Sequence, residues 1–294
     1  MDARPALLLS IDFEDWHQLV HRRLAHPDWD RPYREFAPQV HALLDLLDEL
    51  DARATFFFLG MTAANYSHLV REVVARGHEP ASHGYAHTRV YEQTRDQFRA
   101  DVERSVDEIS QLAGRRPVAY RAPAFSINRR TPWAYDVLAE LGFRFDSSQY
   151  DSPRIRDRIG GIPATPYRLR LAGSELWEFP VATWRVLPIG GGSYWRVVPA
   201  RIIERGLHEH SVLYFHPYEF APEPLRAAEP RDFRTAAVAC WRNMGPGLVA
   251  RRLRHIARSY RLLSYDQAYD NVARRHGTRT RALSQEGVLV RPPL

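Results

Sequence analysis

At 294 residues the chain can bury a full hydrophobic core, and 45% hydrophobic with 26% charged residues is ordinary for a globular protein. All 41 basic residues are arginine, which removes Schiff-base, P-loop and kinase-type lysine chemistry, and the single cysteine, Cys240, removes a disulfide framework and any multi-cysteine zinc site. The net charge of +6 favours anionic partners, but no basic stripe interleaved with aromatics accompanies it, so nucleic acid is not an expected partner.

In chain order, Ala6–Ile11 reads as a buried strand ending in the acids of Asp12-Phe-Glu14-Asp15. Pro38–Leu50 spaces its apolar residues as an amphipathic helix, Ala54–Leu59 is a second buried strand, and 64–76 is a helix closed by Gly77. His78–Ser82 is a short strand that delivers His83-Gly-Tyr-Ala-His87. Thr94–Leu112 is a long charged helix, Val118–Arg121 a strand, and Thr131–Leu141 a helix with Thr131 as N-cap and Pro132 in its first position. Phe143–Phe145 ends at Asp146, and Trp177–Val181, the helix Pro199–His210 and the strand Val212–Phe215 continue the alternation. Strands separated by helices imply parallel β/α units. Asp12, His83, Arg121, Asp146 and His216 each fall at or just past a strand's C-terminal end, which favours a barrel whose strand ends share one mouth.

These residues suit a hydrolytic metal site. Two imidazoles four apart can meet one ion, and a carboxylate from elsewhere completes three protein ligands with a position open for water. Acids crowded after an apolar strand repel one another unless a cation or arginine neutralises them, so one can ligate while another acts as general base. Arg121, fixed by Pro123, is placed to pair with Asp12 and hold it ionised, and His216 is placed as a general acid. Trp177, Trp184, Tyr194 and Trp195 around Gly190–Gly192 either stack on sugar rings or close the core. The segment 248–262, apolar at Val249, Leu253, Ile256 and Tyr260 with arginines between, either lies on an anionic membrane surface or packs on its own domain.

The ordered motifs D-x-E-D, S-H-x-x-x-H, R-A-P-x-F-S, F-D-S-S and Y-F-H-P, from about Leu8 to Glu219, resemble the polysaccharide deacetylase (NodB-homology) family, carbohydrate esterase family four. The segments 178–199 and Arg242-Asn-Met-Gly-Pro-Gly247 resemble a subgroup tied to bacterial exopolysaccharide clusters. The resemblance implies a distorted (β/α)7 barrel and removal of N-acetyl groups from amino sugars of a polysaccharide or its lipid-linked precursor. It implies Asp12 as base, Arg121 as the partner that orients it, His83 and His87 as metal ligands, and His216 as acid. Asp146 would lie near His216 or line the substrate pocket. Most members carry adjacent aspartates, the second ligating the metal, where this chain has Asp12-Phe-Glu14-Asp15. Glu14 shares a face with Asp12 on an extended backbone and is the expected ligand; a sharp turn would bring in Asp15 instead. Zinc is the expected ion, and the ligand set also accepts cobalt or nickel.

The expected organisation is a catalytic domain over 1–270, with 221–270 a subgroup-specific helical extension, followed by a loosely packed polar tail over 271–294. No run approaches the ~18 apolar residues of a membrane span, and the N-terminus lacks the regions of a secretory signal, so the expected location is cytoplasmic, at most peripheral to a membrane. An allantoinase-like enzyme of the same fold acting on a small ureide, and an inactive carbohydrate-binding relic, are the competing readings.

Overall fold

The computed structural model describes residues 3–15, 18, 29–152, 155, 157–185, 187–192, 194–221, 240, 243, 245, 247–284 and 288–291. Its strands begin with β1 (Ala6–Phe13), β2 (Thr55–Phe58), β3 (Glu79–Ser82), β4 (Ala119–Tyr120) and β5 (Phe145–Asp146). They continue with β6 (Tyr167–Arg170), β7 (Glu175–Glu178), a hairpin of β8 (Thr183–Trp184) and β9 (Leu187–Pro188), and β10 (Val212–Phe215). The last are β11 (Arg261–Leu263), β12 (Thr280–Leu283) and β13 (Leu289–Val290).

The run β10-β1-β2-β3-β4-β5-β7 is parallel at every step. Val181, just past β7, bridges in parallel to Val212 of β10, and the Ala182 N–H donates to the Val212 carbonyl at 3.0 Å. Seven parallel strands therefore curl round on themselves, joined at the seam by a bridge rather than a full ladder. This is the distorted barrel expected. β6, antiparallel to β7, carries β12 and β13 outward as a flap.

Helices fill the crossovers: α1 (Phe36–Glu49), α2 (Gly60–Asn65), α3 (Ser67–Ala75), α4 (Arg95–Ala113), α5 (Trp133–Glu140), α6 (Tyr194–Val197), α7 (Ala200–Gly206), α8 (Leu248–Ala257) and α9 (Tyr265–His276). In β1, Leu7, Leu9, Ile11 and Phe13 pack outward with Val40, Leu43, Leu44 and Leu47 of α1. Leu8 instead joins Phe57, Phe145, Phe179 and Val212 in the cluster that fills the barrel. Burying each such side chain contributes about 1.5–3 kcal/mol. Because side chains alternate along a strand, Ser10 and Asp12 follow Leu8 up the inner column, and the pleat delivers Asp12 to the mouth.

Several expectations change. The helix over 64–76 is two helices, because Tyr66 leaves helical geometry (φ −126°, ψ 44°) where its hydroxyl reaches Asp15. Pro132, not Thr131, precedes α5, and the Thr131 hydroxyl accepts from the Asn128 N–H instead. The polar tail does not begin at 271: α9 runs to His276 with Val272 fully buried, and β12 pairs with β6. The apolar face of α8 packs on the core, where Val249, Leu253 and Ile256 join the outer cluster. Among the described residues no helix is long and apolar enough to cross one.

The glycine run serves the strand rather than a ligand. Gly191 (φ 143°) lies so close to β10 that a Cβ would overlap the Tyr214 carbonyl oxygen. Trp195 is fully buried, donating to the Ile189 carbonyl at 2.7 Å, so this aromatic closes the core. Of the segment Arg242–Gly247, positions 242, 244 and 246 lie outside the described residues.

Candidate metal centre and active site

At the mouth the acids of β1 meet the histidine loop of β3. Glu14 Oε1 lies 2.8 Å from His83 Nε2 and 3.0 Å from His87 Nε2, and its Oε2 lies 3.6 Å from His216 Nε2. Asp12 Oδ2 is 3.9 Å from His83 Nε2. Glu14, His83 and His87 form one group whose ligand atoms lie within 4.8 Å of one another, and Asp12, Glu14 and His216 form a second sharing the same carboxylate.

The chain does turn after β1, the Glu14 N–H donating to the Asp12 carbonyl at 2.9 Å. Glu14 nevertheless faces the histidines. Asp15, the acid held in reserve, is turned away: it accepts a hydrogen bond from the Tyr66 hydroxyl and belongs to neither group among the described residues.

Hydrogen-bond accounting tests whether a cation fits. His83 Nδ1 lies 2.7 Å from the Arg121 carbonyl, which can only accept, so Nδ1 carries a hydrogen. Nε2 of the neutral ring is then a lone pair facing a carboxylate at 2.8 Å, two acceptors in contact. Such an arrangement needs positive charge between them, and one buried carboxylate with two imidazoles is a donor set for a divalent transition metal. The residues fit the group. Burial pushes the Glu14 carboxyl up, but His87 and His83 outweigh it and hold the group well below its ordinary value. Burial pushes His83 down, and Asp12 and Glu14 outweigh it and raise it.

The histidine loop is shaped from α4. Asp101 accepts from the Tyr85 N–H at 2.9 Å and the Ala86 N–H at 3.3 Å. Gly84 has φ 75°, and a Cβ there would sit 2.8 Å from Asp101 Oδ2. His87 itself holds φ 55°, a strained state for a non-glycine residue.

Arg121 is fully buried inside the barrel. Its Nη1 donates to Asp12 Oδ1 at 2.6 Å and its Nε to the Ser147 carbonyl at 3.0 Å, while Phe57 lies beneath the guanidinium at 4.3 Å. Asp12 therefore presents Oδ2 to the cluster.

His216 follows β10. Its Nδ1 lies 3.2 Å from the Tyr218 hydroxyl and 3.6 Å from Glu219 Oε2, and Glu219 also accepts from the His216 N–H at 3.0 Å. Glu219, which the sequence reading missed, sits beside His216. The H-P-x-E spacing was the available signal, since it is a capping box on a short turn.

Asp146 sits elsewhere. It pairs in register with Glu178 across β5 and β7, both fully buried. Its oxygens accept from the Ser148 hydroxyl at 2.6 Å and the Ser148 N–H at 3.0 Å. Burial raises both carboxyls, and the neighbouring Asp146 adds to the rise at Glu178. Asp146 thus belongs to a buried carboxyl pair that pins 148 and 149, beside the Ser147 that holds Arg121.

Residues 29–145 match the family model described as polysaccharide deacetylase, and residues 147–270 match a domain of unknown function, DUF3473. His83, His87 and Arg121 fall in the first match and His216 in the second, while Asp12 and Glu14 precede both. Curated relatives include a peptidoglycan-N-acetylglucosamine deacetylase of Bacillus cereus, 30% identical over 106 residues, covering 36% of this chain and 38% of the relative. A chitooligosaccharide deacetylase of Sinorhizobium fredii is 36% identical over 113 residues, covering 37% and 47%. The chain spans less than half the length of these relatives. Among solved structures, a candidate polysaccharide deacetylase from Mycobacterium smegmatis superposes with TM-score 0.61 at 24% identity, covering 100% of this chain and 97% of that one. Peptidoglycan deacetylase PdaC of Bacillus subtilis follows at TM-score 0.52 and 14% identity, covering 94% and 95%. Both share the fold. The motif order and the family match agree, and residues 29–145 carry a polysaccharide deacetylase domain.

Proposed function

We propose that the protein is a metal-dependent hydrolase that removes N-acetyl groups from amino sugars of a polysaccharide or its lipid-linked precursor, releasing acetate. The observation that carries this reading is the convergence of two imidazoles on one buried carboxylate beside an arginine-held aspartate. The names of the relatives, deacetylases of peptidoglycan and chitooligosaccharide, support an N-acetylated glycan as substrate.

Glu14, His83 and His87 would hold the ion, with zinc preferred for a carboxylate and two imidazoles. A divalent ion there supplies Lewis acidity, polarising the amide carbonyl and making water acidic enough to lose a proton near neutrality. Asp12, with Oδ1 committed to Arg121, takes that proton through Oδ2. His216, steadied by Tyr218 and Glu219 on its Nδ1 side, protonates the departing nitrogen from Nε2. Asp146 serves at a distance, pinning the serines around Arg121. Because Asp101 takes the Ala86 N–H, the His87 N–H is the backbone donor left in this loop to stabilise negative charge on the attacked carbonyl.

The test is acetate release from N-acetylglucosamine oligosaccharides by zinc-loaded protein. His216→Ala should lower turnover about a hundredfold or more with zinc stoichiometry unchanged. Stoichiometric zinc with no acetate released from any N-acetylated glycan, or ring opening of a cyclic ureide instead, overturns the reading.

A further inference from the structure

We propose that Tyr265, far along the chain from every other group at the site, is a positioning residue: its hydroxyl rises through the barrel floor and completes the cradle that fixes Arg121, and through Arg121 the base Asp12. The kinetic part of this proposal rests on the deacetylase reading.

The cradle follows from hydrogen-bond polarity. Arg121 Nη2 faces three hydroxyl oxygens: Ser147 Oγ at 2.8 Å, Ser10 Oγ at 2.9 Å and Tyr265 Oη at 3.1 Å. Each hydroxyl spends its own hydrogen elsewhere. Ser10 donates to the Leu213 carbonyl at 2.8 Å, Ser147 to the Phe179 carbonyl at 2.7 Å, and Tyr265 to Ser147 Oγ at 2.9 Å. All three oxygens therefore offer the guanidinium only lone pairs. A planar guanidinium held at Nη2 and Nε cannot swivel, so the Nη1 donor is aimed at Asp12 by what lies on its far side.

The floor holds Tyr265 as firmly as Tyr265 holds Arg121. It is the first residue of α9, and Thr55 and Glu79, the first residues of β2 and β3, take that helix's leading N–H groups. The Tyr265 N–H donates to Thr55 Oγ1 at 2.9 Å and the Asp266 N–H to Glu79 Oε2 at 3.1 Å. The Thr55 hydroxyl ties the two acceptors together, donating to Glu79 Oε2 at 2.6 Å. The ring stacks on Phe179 with centroids 4.7 Å apart and planes 9° from parallel, and stands edge-on to Phe57. Neither ring contact needs the hydroxyl, so the group's role can be separated from packing.

Tyr265→Phe keeps the ring and deletes the hydroxyl. The expected result is a kcat lowered about tenfold with KM changed by less than about twofold, as for one buried hydrogen bond to a charged group felt in the transition state alone. Zinc stoichiometry should be unchanged. In an Arg121→Lys background the same change should have no further effect on kcat, because the group it positions is gone. A wild-type kcat in Tyr265→Phe, a loss matched by loss of zinc, or additive losses in the double variant would each overturn the proposal. If the wild-type protein deacetylates nothing, that failure belongs to the functional reading, and the proposal is then judged by NMR. Exchange of the Arg121 guanidinium protons should be about tenfold faster in Tyr265→Phe, and unchanged exchange would overturn it.

Discussion

The barrel holds two histidine pairs, one at each end. At the mouth, His83 and His87 both turn Nε2 onto Glu14, and the acids around His83 raise it against the pull of burial. At the floor, where the His210 N–H donates to the Ala6 carbonyl, His210 and His276 turn onto each other, Nδ1 to Nε2 at 3.0 Å. The nearest acid there, Glu209, lies 4.0 Å from His210 Nε2 and is itself ion-paired to Arg275. Burial lowers both floor histidines to about 4, helped by His276 at His210 and by Arg279 and Arg275 at His276. The same side chain makes a candidate cation site at one end and a neutral, cation-averse contact at the other. What differs is carboxylate at short range, Asp12 beside His83 and above all Glu14, which both mouth imidazoles touch.

Removing that carboxylate should have the largest effect. Glu14→Ala should lose zinc, measured by metal analysis, and about a thousandfold in acetate release, the rate equivalent of several kcal/mol of charge stabilisation. His210→Ala should keep its zinc. A smaller effect comes from acid. Above the ordinary imidazole value of 6.5 the floor pair is neutral whether folded or unfolded, and its contribution to stability is complete. Between about 6.5 and about 4 the unfolded chain takes up protons that the folded pair refuses, so the pair's contribution to the melting temperature, read against His210→Ala, should fall across that window and level off below it. His276→Glu should reverse the logic, bringing the His210 pKa back toward the ordinary range in an NMR titration. The smallest effect belongs to a third histidine–acid contact, His41 with Glu72 at 3.1 Å, whose side chains are 47% and 31% exposed. His41→Gln should change unfolding free energy by less than about 0.5 kcal/mol in urea titration.

The mouth was legible in the sequence because its signals are local. An apolar run ending in acids, two histidines four apart and an arginine before a proline each announce a strand end, and parallel topology gathers strand ends at one face. Alternation put Glu14 on the face of Asp12, and Glu14 does face the two histidines although the backbone turns. The misplaced residues depended on pairing across the chain. Asp146 faces Glu178 only because of the register between β5 and β7, which no spacing within either segment reveals. Asp101 is one acid among many on a charged helix, singled out only by the loop that lies over it. Tyr265 touches a residue 144 positions earlier, and β12 reaches back to β6 to make ordered sheet of what composition marks as a tail.

Because α9 docks its leading N–H groups on Thr55 and Glu79, it needs a finished barrel floor as its template, and it leaves the ribosome after all seven barrel strands. Vectorial synthesis would thus form the inner cavity first, with a buried cation short of one acceptor, and add the tyrosine last. A nascent chain stalled before residue 265 would own the residues proposed to hold the ion and to move protons, yet lack the tyrosine proposed to position them. On that proposal the full catalytic rate would await α9, which follows all seven barrel strands in the chain.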